Sequence, residues 1–217
     1  MASGSSTQAK PSRPRVPASE RRDALIDAAI PEFARGGLHG TPVDRIAQRV
    51  GVAQPYVFSL FKSKRELFLA AVARGFQRVA DDFTRAAEAF DPAIALPDTD
   101  VLTAMGKSYV ELLDTDRDTL MLQHQAYAAC DDEVIRERVR AEYARLVSHA
   151  QTLSGADDER IDDFFRYGMW LNVAAAMGVE GLSIGCEWVT AEHAADTEAG
   201  SDDAPAPAPE PDAGPAP

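Results

Sequence analysis

Apolar residues recur every three or four positions through the middle of the chain, whereas strict alternation of apolar and polar residues is almost absent. The first pattern is typical of amphipathic helices packed against a core, and the second would indicate strands. The sequence therefore predicts an all-α fold. Helices are expected at about 19–35, 42–50, 54–61, 63–90, 99–114, 116–129, 131–153 and 157–180.

Capping residues set the first boundaries. The first helix is expected to end at the pair 36–37, where two glycines stand together, and to be distorted at Pro31. Thr41 is predicted to cap the second helix, with Pro42 at its first helical position. Residues 63–66 form an S-x-x-E capping box, so the fourth long helix is expected to begin there.

Residues 43–62 have the spacing of a helix-turn-helix. Ile46, Ala47 and Val50 share one face of the first short helix, and Gly51 can adopt the left-handed conformation that turns the chain. Val57 and its neighbours Leu60 and Phe61 supply the inner face of the second. This arrangement would hold the second helix across the first. A helical hairpin with an ordinary solvated face is the plainer alternative.

The outward face of the second short helix carries groups suited to a major groove. These side chains are short or flat with polar tips, and cations flank them. The face comprises Gln54, Pro55, Tyr56 and Ser59, and the flanking cations are Arg45, Arg49, Lys62, Lys64 and Arg65. Lys64 lies in the first turn of a helix, where its charge opposes the helix dipole, so a phosphate partner would explain it.

Charge is distributed unevenly along the chain. The net charge is −13, yet thirteen of the 22 Lys and Arg residues lie in positions 1–80, and most of the 35 acidic residues lie beyond. A basic N-terminal third could therefore meet a polyanion while the remainder faces solvent. Two cysteines without metal-ligand spacing, no secretory signal and no long apolar run together indicate a reduced, cytoplasmic protein with no membrane segment.

Composition divides the chain into four segments. Residues 1–18 are predicted to be a disordered arm, because Ser, Pro and basic groups dominate there. Residues 19–66 would form the helix-turn-helix DNA-binding domain and residues 67–190 a larger helical domain. The acidic, Pro- and Ala-rich residues 191–217 would be a disordered tail.

The stretch "RRDALIDAAIPEFARGGLHGTPVDRIAQRVGVAQPYVFSLFKSKRELFLAAV", residues 21–72, resembles the TetR family of bacterial transcriptional repressors (TetR/AcrR type). The resemblance implies a three-helix DNA-binding domain followed by a helical effector-binding and dimerisation domain. The implied DNA-binding residues are Thr41, Arg45, Gln54, Pro55, Tyr56, Phe58, Ser59, Lys62 and Lys64, with Thr41 and Lys64 touching phosphates.

The stretch departs from the family pattern at several positions. Ala53 stands where the family usually has a capping Ser, a loss of about 1 kcal/mol. Pro55 replaces the usual Gly, and Pro31 is unusual in the first helix. Phe58 replaces the usual Tyr, which removes a hydroxyl that would bind phosphate.

A three-helix head grips one half-site, so specific binding to a palindromic operator in double-stranded DNA usually needs a homodimer. The last two long helices are the predicted pairing elements, as in the family. On the final helix the apolar face comprises Ile161, Phe164, Phe165, Gly168, Leu171, Ala175 and Val179. The alternative is that this face packs within its own domain.

Polar, aromatic and Met residues on otherwise apolar helices are candidates for lining a cavity that binds an unknown small-molecule effector. They are Met105, Tyr109, Met121, His124, Gln125, Tyr127, Tyr167, Met169, Trp170 and Asn172. Each could instead be an ordinary core residue. The resulting hypothesis is a ligand-responsive repressor that a small apolar molecule releases from its operator.

Two other function classes compete with this hypothesis. An enzyme is disfavoured, since no Glu-x-x-His pair occurs and the four histidines are scattered. No cofactor and no metal are expected. A helical adaptor that binds other proteins is the main alternative, and salt-dependent retention on DNA would separate it from a regulator.

Overall fold

The structure is a computed structural model, and it describes residues 17–97 and 99–179, apart from the side chains of residues 113 and 114. Within these ranges the chain forms eight helices and no strand, which confirms the all-α prediction. The helices are α1 (Ala18–Gly40), α2 (Val43–Val50), α3 (Gln54–Leu60), α4 (Lys64–Ala89), α5 (Val101–Thr115), α6 (Arg117–Ala128), α7 (Glu133–Ser154) and α8 (Asp158–Met177). The predicted arm and tail lie almost wholly outside the described residues, as does Cys186. The division into four segments stays a prediction.

Helix α1 breaks at Gly37, where the backbone leaves the helical region with φ 60° and ψ −172°. The sequence predicted an end at residues 36–37, and the break lies there. The distortion expected at Pro31 is absent, because Gly37 is the one residue of α1 with non-helical angles. Leu25, Ile30 and Phe33 on the predicted inner face are fully buried.

Helix α4 begins with the predicted capping box. The Ser63 hydroxyl accepts the Glu66 N–H at 3.1 Å, while the Glu66 carboxylate accepts the Lys62 N–H at 2.9 Å. The later helices also begin at aspartates, each of which accepts backbone N–H groups of the following turn: Asp100, Asp116 and Asp132. Such caps satisfy donors that have no partner within the helix.

The first helix packs against α2, α4 and α6. Phe33 of α1 meets Phe68 of α4 edge to face, with 5.0 Å between ring centroids. Outside this apolar contact, Arg74 of α4 binds Asp23 and Asp27 of α1 at 2.7 and 3.0 Å. Arg78 then joins Asp27 to Asp116 at the start of α6. The ion pairs thus tie α1, α4 and α6 together at the surface.

Helices α5, α7 and α8 complete the larger part of the molecule around α4 and α6. The eight helices lie in one compact unit, Met1–Met177; a second unit, Gly178–Pro217, lies almost entirely outside the described residues. None of the described helices is both long enough and apolar enough to cross a membrane.

Helix α8 ends at Met177, so Val179, predicted as part of its apolar face, lies beyond the helix. Ile161 and Ala175 of that face are buried in the chain's own core. Phe164, Phe165 and Leu171 pack on the same core while remaining partly exposed. The predicted apolar face of α8 therefore packs largely within its own chain, which was the alternative interpretation.

Candidate nucleic-acid interface and internal cavity

The turn between α2 and α3 fixes the angle of α3. Gly51 adopts φ 72° and ψ 34°, and its N–H donates to the carbonyls of Ala47 and Gln48. The Val52 N–H also donates to Ala47, at 3.0 Å. Glycine reaches this left-handed conformation without a steric penalty. Behind the turn, Val57 and Phe61 are buried, so α3 is supported by the core along its inner face.

The outer face of α3 is open to solvent. Gln54, Pro55 and Ser59 are exposed, and Phe58 retains 42% of its surface. Tyr56 is half-buried, with the Arg21 guanidinium 5.8 Å from its ring centroid. The exposed residues at the N-terminal end of a supported helix have the placement that a groove-reading helix requires.

The cations around this face differ in availability. Arg49 binds the buried Glu32 carboxylate of α1 at 2.7 Å, and Arg65 binds Asp132 at 2.8 Å. Arg45 and Lys62 are exposed and form no ion pair with any acid in residues 17–97 and 99–179. These two side chains could therefore bind a phosphate without breaking an ion pair of the described residues.

Thr41 does not cap α2, contrary to the prediction. Pro42 occupies the N-cap position and provides no side-chain hydrogen bond. The Thr41 hydroxyl is buried and points back at α1, where the carbonyls of Gly37 and Glu32 accept from it at 2.8 and 3.0 Å. A phosphate contact through this hydroxyl stays a prediction, and it would require the hydroxyl to leave these carbonyls.

Lys64 has a partner inside the chain. Its ammonium donates to the His39 carbonyl at 3.0 Å, at the end of α1, and partial burial lowers its pKa. A cation near a helix C-terminus compensates the helix dipole. The His39 carbonyl is therefore a partner for Lys64 that the sequence did not indicate, and the predicted phosphate contact stays a prediction.

The N-terminus of α3 lacks a side-chain cap, as Ala53 at this position predicted. Ala53 instead contributes its carbonyl, which accepts the Tyr56 N–H at 2.9 Å. The first backbone donors of α3 consequently have no side-chain acceptor, and an anion is a suitable partner for such groups.

A cavity with about 60 Å³ of enclosed free space, or about 530 Å³ when the open solvent at its mouth is included, lies among α4, α5, α6, α7 and α8. Five of the ten predicted effector residues line it: Tyr109, Tyr127, Tyr167, Met169 and Asn172. Sequence reasoning missed further lining residues, of which Phe83, Gln123, Tyr143, Phe164 and Phe165 are polar or aromatic. Phe164 and Phe165 had been assigned to the dimer face.

The other five predicted residues do not line this cavity. Met105 is fully buried in the core, Met121 packs partly buried on it, and Trp170 is half-buried elsewhere on α8. His124 lies near the Leu120 carbonyl at 3.5 Å, one turn earlier in its own helix. Gln125 faces α1 instead, and its side-chain nitrogen donates to the Ala34 carbonyl at 3.4 Å.

The cavity walls are mainly apolar, with a few polar groups. Burial raises the pKa of Tyr109 and of Tyr127, and the proximity of other tyrosines raises them further, so these hydroxyls stay neutral. Phe83 of α4 stacks edge to face on both Tyr109 and Phe164. A mainly apolar wall with a few polar groups is typical of small-molecule sites in proteins.

Comparison with known proteins adds a family. The profile of the bacterial regulatory proteins of the tetR family matches residues 25–71, which cover α2, α3 and parts of α1 and α4. This part of the chain is therefore similar to the DNA-binding domain of that family, and α3 lies at the position of the second helix of its helix-turn-helix.

Two curated relatives are similar to this chain over a stretch of about that length. The HTH-type transcriptional activator FasR of Mycolicibacterium smegmatis is 43% identical over 60 residues, which is 28% of this chain and 27% of FasR. The HTH-type transcriptional repressor KstR of Rhodococcus jostii is 33% identical over 60 residues, 28% of each protein. The similarity thus spans about a quarter of each relative. Both are named as regulators of transcription, not as enzymes.

Among solved structures, the transcriptional regulator FadR of Bacillus subtilis in complex with stearoyl-CoA superposes with a TM-score of 0.59 at 16% identity. The superposition covers 73% of this chain and 89% of FadR. At that identity it shows that the two proteins share their all-helical fold, including the C-terminal helices.

Proposed function

We propose that this chain is a ligand-responsive, DNA-binding transcriptional regulator that acts in the cytoplasm. Its activity is proposed to be repression, relieved when a small apolar molecule enters the cavity. The observation that carries the proposal is the outer face of α3, exposed at Gln54, Pro55 and Ser59 while Val57 is buried behind it. Arg45 and Lys62 at its sides would bind phosphates and position the helix in the groove.

The proposed regulator acts as a homodimer on a palindromic operator. One head of three helices reads one half-site, so two heads must stand about 34 Å apart or a multiple of that distance. An apolar stripe on α8 supports pairing through this helix, since Tyr167, Val173 and Met177 are 44%, 42% and 56% exposed. With half-buried Trp170, these residues follow one another at helical spacing.

Two helices connect the proposed effector cavity to the head. Helix α6 lines the cavity with Gln123 and Tyr127, while Gln125 of the same helix contacts α1. Helix α4 lines it with Val79 and Phe83 and begins where Lys64 binds the end of α1. A ligand that shifts either helix would change the separation of the two heads, and a coupling of about 1–3 kcal/mol would change operator affinity 5–150-fold.

Repression relieved by ligand is the proposed direction of control, and activation is the alternative. The relatives are divided on this point, since FasR is named an activator and KstR a repressor. A promoter reporter carrying the operator would distinguish the two, since deletion of this gene raises the signal of a repressed promoter.

The DNA-binding part of the proposal can be tested without knowing the operator. Purified protein would be used to select bound duplexes from a random library, and the affinity of the selected site measured from about 50 to 200 mM salt. We expect a palindromic consensus and a steep negative slope of log affinity against log salt, because each phosphate contact releases counterions. A flat slope with no consensus would favour the helical adaptor.

A further inference from the structure

The cavity contains a buried amide pair with unused hydrogen-bonding groups. Asn172 of α8 and Gln123 of α6 are 2% and 3% exposed, and the Asn172 amide nitrogen donates to the Gln123 oxygen at 3.1 Å. The Asn172 carbonyl oxygen has no partner in the described residues. The Gln123 amide nitrogen donates no hydrogen bond within the described residues, but it is not among the fully buried atoms that lack a partner. Buried polar groups are nearly always hydrogen-bonded, so a missing partner requires an explanation.

The unused capacity does not depend on how the two amides are oriented. If both side chains are turned over, Gln123 donates to Asn172, and one carbonyl oxygen and one amide nitrogen are again left over. A single group that both donates and accepts satisfies the pair in either arrangement. Hydroxyl and amide groups have that property, whereas ethers and ketones only accept.

The rest of the cavity restricts the charge of a ligand. Among the described residues that line it there is no Lys, Arg or His, and most of the wall is aliphatic or aromatic. Moving an ion from water into such a site is unfavourable without a counter-charge. The ligand is therefore expected to be neutral.

The side chains of the cavity wall also limit the shape of a ligand. A Cβ added at Gly106 would lie 3.5 Å from the Phe164 ring, and one at Gly168 would lie 3.9 Å from the Tyr109 ring. The aromatic side chains thus come close to the helix backbones, and the enclosed free space is only about 60 Å³. This suits a compact ring system better than a long flexible chain.

We propose that the cavity binds a neutral, compact and mainly apolar molecule with one hydroxyl or amide group, which hydrogen-bonds to both Asn172 and Gln123. This inference rests on the proposed role of the cavity as an effector site, and it names the class of effector. The amide pair selects the polar group, and the aromatic wall binds the apolar part.

A matched series of probes tests the proposal by isothermal titration calorimetry on the full chain. The probes are 2-naphthol, which donates and accepts; 2-methoxynaphthalene, which only accepts; and 2-naphthoate, which is charged. We expect 2-naphthol to bind at least about tenfold more tightly than either of the others. Equal binding of 2-naphthol and 2-methoxynaphthalene, tighter binding of 2-naphthoate, or binding of none of the three would overturn the proposal.

Substitution of the amide provides the second measurement. Asn172→Leu should reduce the preference for 2-naphthol over 2-methoxynaphthalene to about twofold or less, because the donor is no longer recognised. Gln77→Leu, which removes an exposed amide on α4 outside the cavity wall, is the matched control and should leave the preference unchanged. A retained preference in a folded Asn172→Leu protein would contradict the proposal. If that variant does not fold, the probe series on the unaltered chain still decides.

Operator affinity measured with saturating 2-naphthol separates this inference from the proposed function. Selective 2-naphthol binding with unchanged operator affinity would support the ligand class while refuting ligand-responsive regulation. Failure of selective binding in a protein that still binds its operator would refute the ligand class alone.

Discussion

Replacing Gly37 with alanine should destabilise the contact between the head and α6. Gly37 has φ 60° and ψ −172°, a region that is essentially restricted to glycine and costs other residues about 1–3 kcal/mol. An added Cβ would also lie 2.5 Å from the side-chain oxygen of Gln125. That side chain would have to move, with loss of its hydrogen bond to Ala34, worth about 0.5–1.5 kcal/mol.

Together, the backbone strain and the lost hydrogen bond should lower the free energy of unfolding of Gly37→Ala by about 2–4 kcal/mol, measured by urea unfolding. In thermal unfolding each kcal/mol should lower the Tm by roughly 2–4 °C for a chain of this length. Gly40→Ala is the matched control, because an added Cβ there has no heavy atom within 4 Å and the residue lacks a positive φ. It should change the free energy of unfolding by less than about 1 kcal/mol.

A double-mutant cycle separates the two parts of this cost. Gln125→Ala removes the group that the new Cβ would meet, so Gly37→Ala should cost less in that background, and the remainder reports backbone strain. Equal stability of the Gly37→Ala and Gly40→Ala proteins would refute the strained turn. Strict additivity of the two changes would refute the contact with α6.

Three further predictions address packing, DNA binding and pH. Phe33→Ala should lower the free energy of unfolding by about 3–5 kcal/mol in urea, because the ring is fully buried against Phe68, and a loss below about 1 kcal/mol would contradict this packing. Arg45→Ala should reduce the slope of log operator affinity against log salt concentration by about 1. Arg140→Ala, on the exposed side of α7, should leave that slope unchanged. Equal slopes for the Arg45→Ala and unaltered proteins would contradict a phosphate contact at Arg45. Burial alone would raise the pKa of Asp100, but hydrogen bonds from the Thr103 N–H and hydroxyl, together with the Arg160 guanidinium, lower it to about 2. The ionised carboxylate therefore stabilises the fold above about pH 4. This stabilisation is lost as the pH falls towards 2. Thermal unfolding should therefore show Asp100→Asn less stable than the wild type at pH 7 and the difference shrinking below pH 4; a difference independent of pH would contradict the assignment.

The head could be predicted from the sequence because its signals are local. The positions of Ile46, Gly51 and Val57 follow from helical spacing and from the one residue that turns easily through a left-handed conformation. The capping box at residues 63–66 is likewise contained in four consecutive residues. Such features need no knowledge of which helices meet in space.

The hydrogen bonds of the head that the sequence did not reveal join residues distant in the chain. Lys64 binds a carbonyl 25 residues earlier, at His39, and Thr41 binds the carbonyl of Glu32, nine residues earlier. Composition and spacing contain no signal for either contact. Pro31 stays within helical geometry, although its ring removes a backbone donor.

Only some of the cavity-lining residues could be predicted from the sequence, because the orientation of each helix depends on tertiary packing. Neighbouring positions on α6 face different ways: Gln123 and Tyr127 line the cavity, while Gln125 contacts α1. Periodicity predicts that a helix has two faces, but it does not say which face meets which neighbour. For the same reason, Phe164 and Phe165 were assigned to a dimer face when they line the cavity.

Sequence-specific recognition by α3 can be measured as the ratio of two dissociation constants. The dissociation constant for the selected operator would be compared with that for a scrambled duplex of equal length and composition, by fluorescence anisotropy at about 150 mM salt. We expect the protein to bind the operator at least about 10³-fold more tightly than the scrambled duplex, as is usual for specific recognition of a base sequence. Dissociation constants within twofold of each other would contradict it.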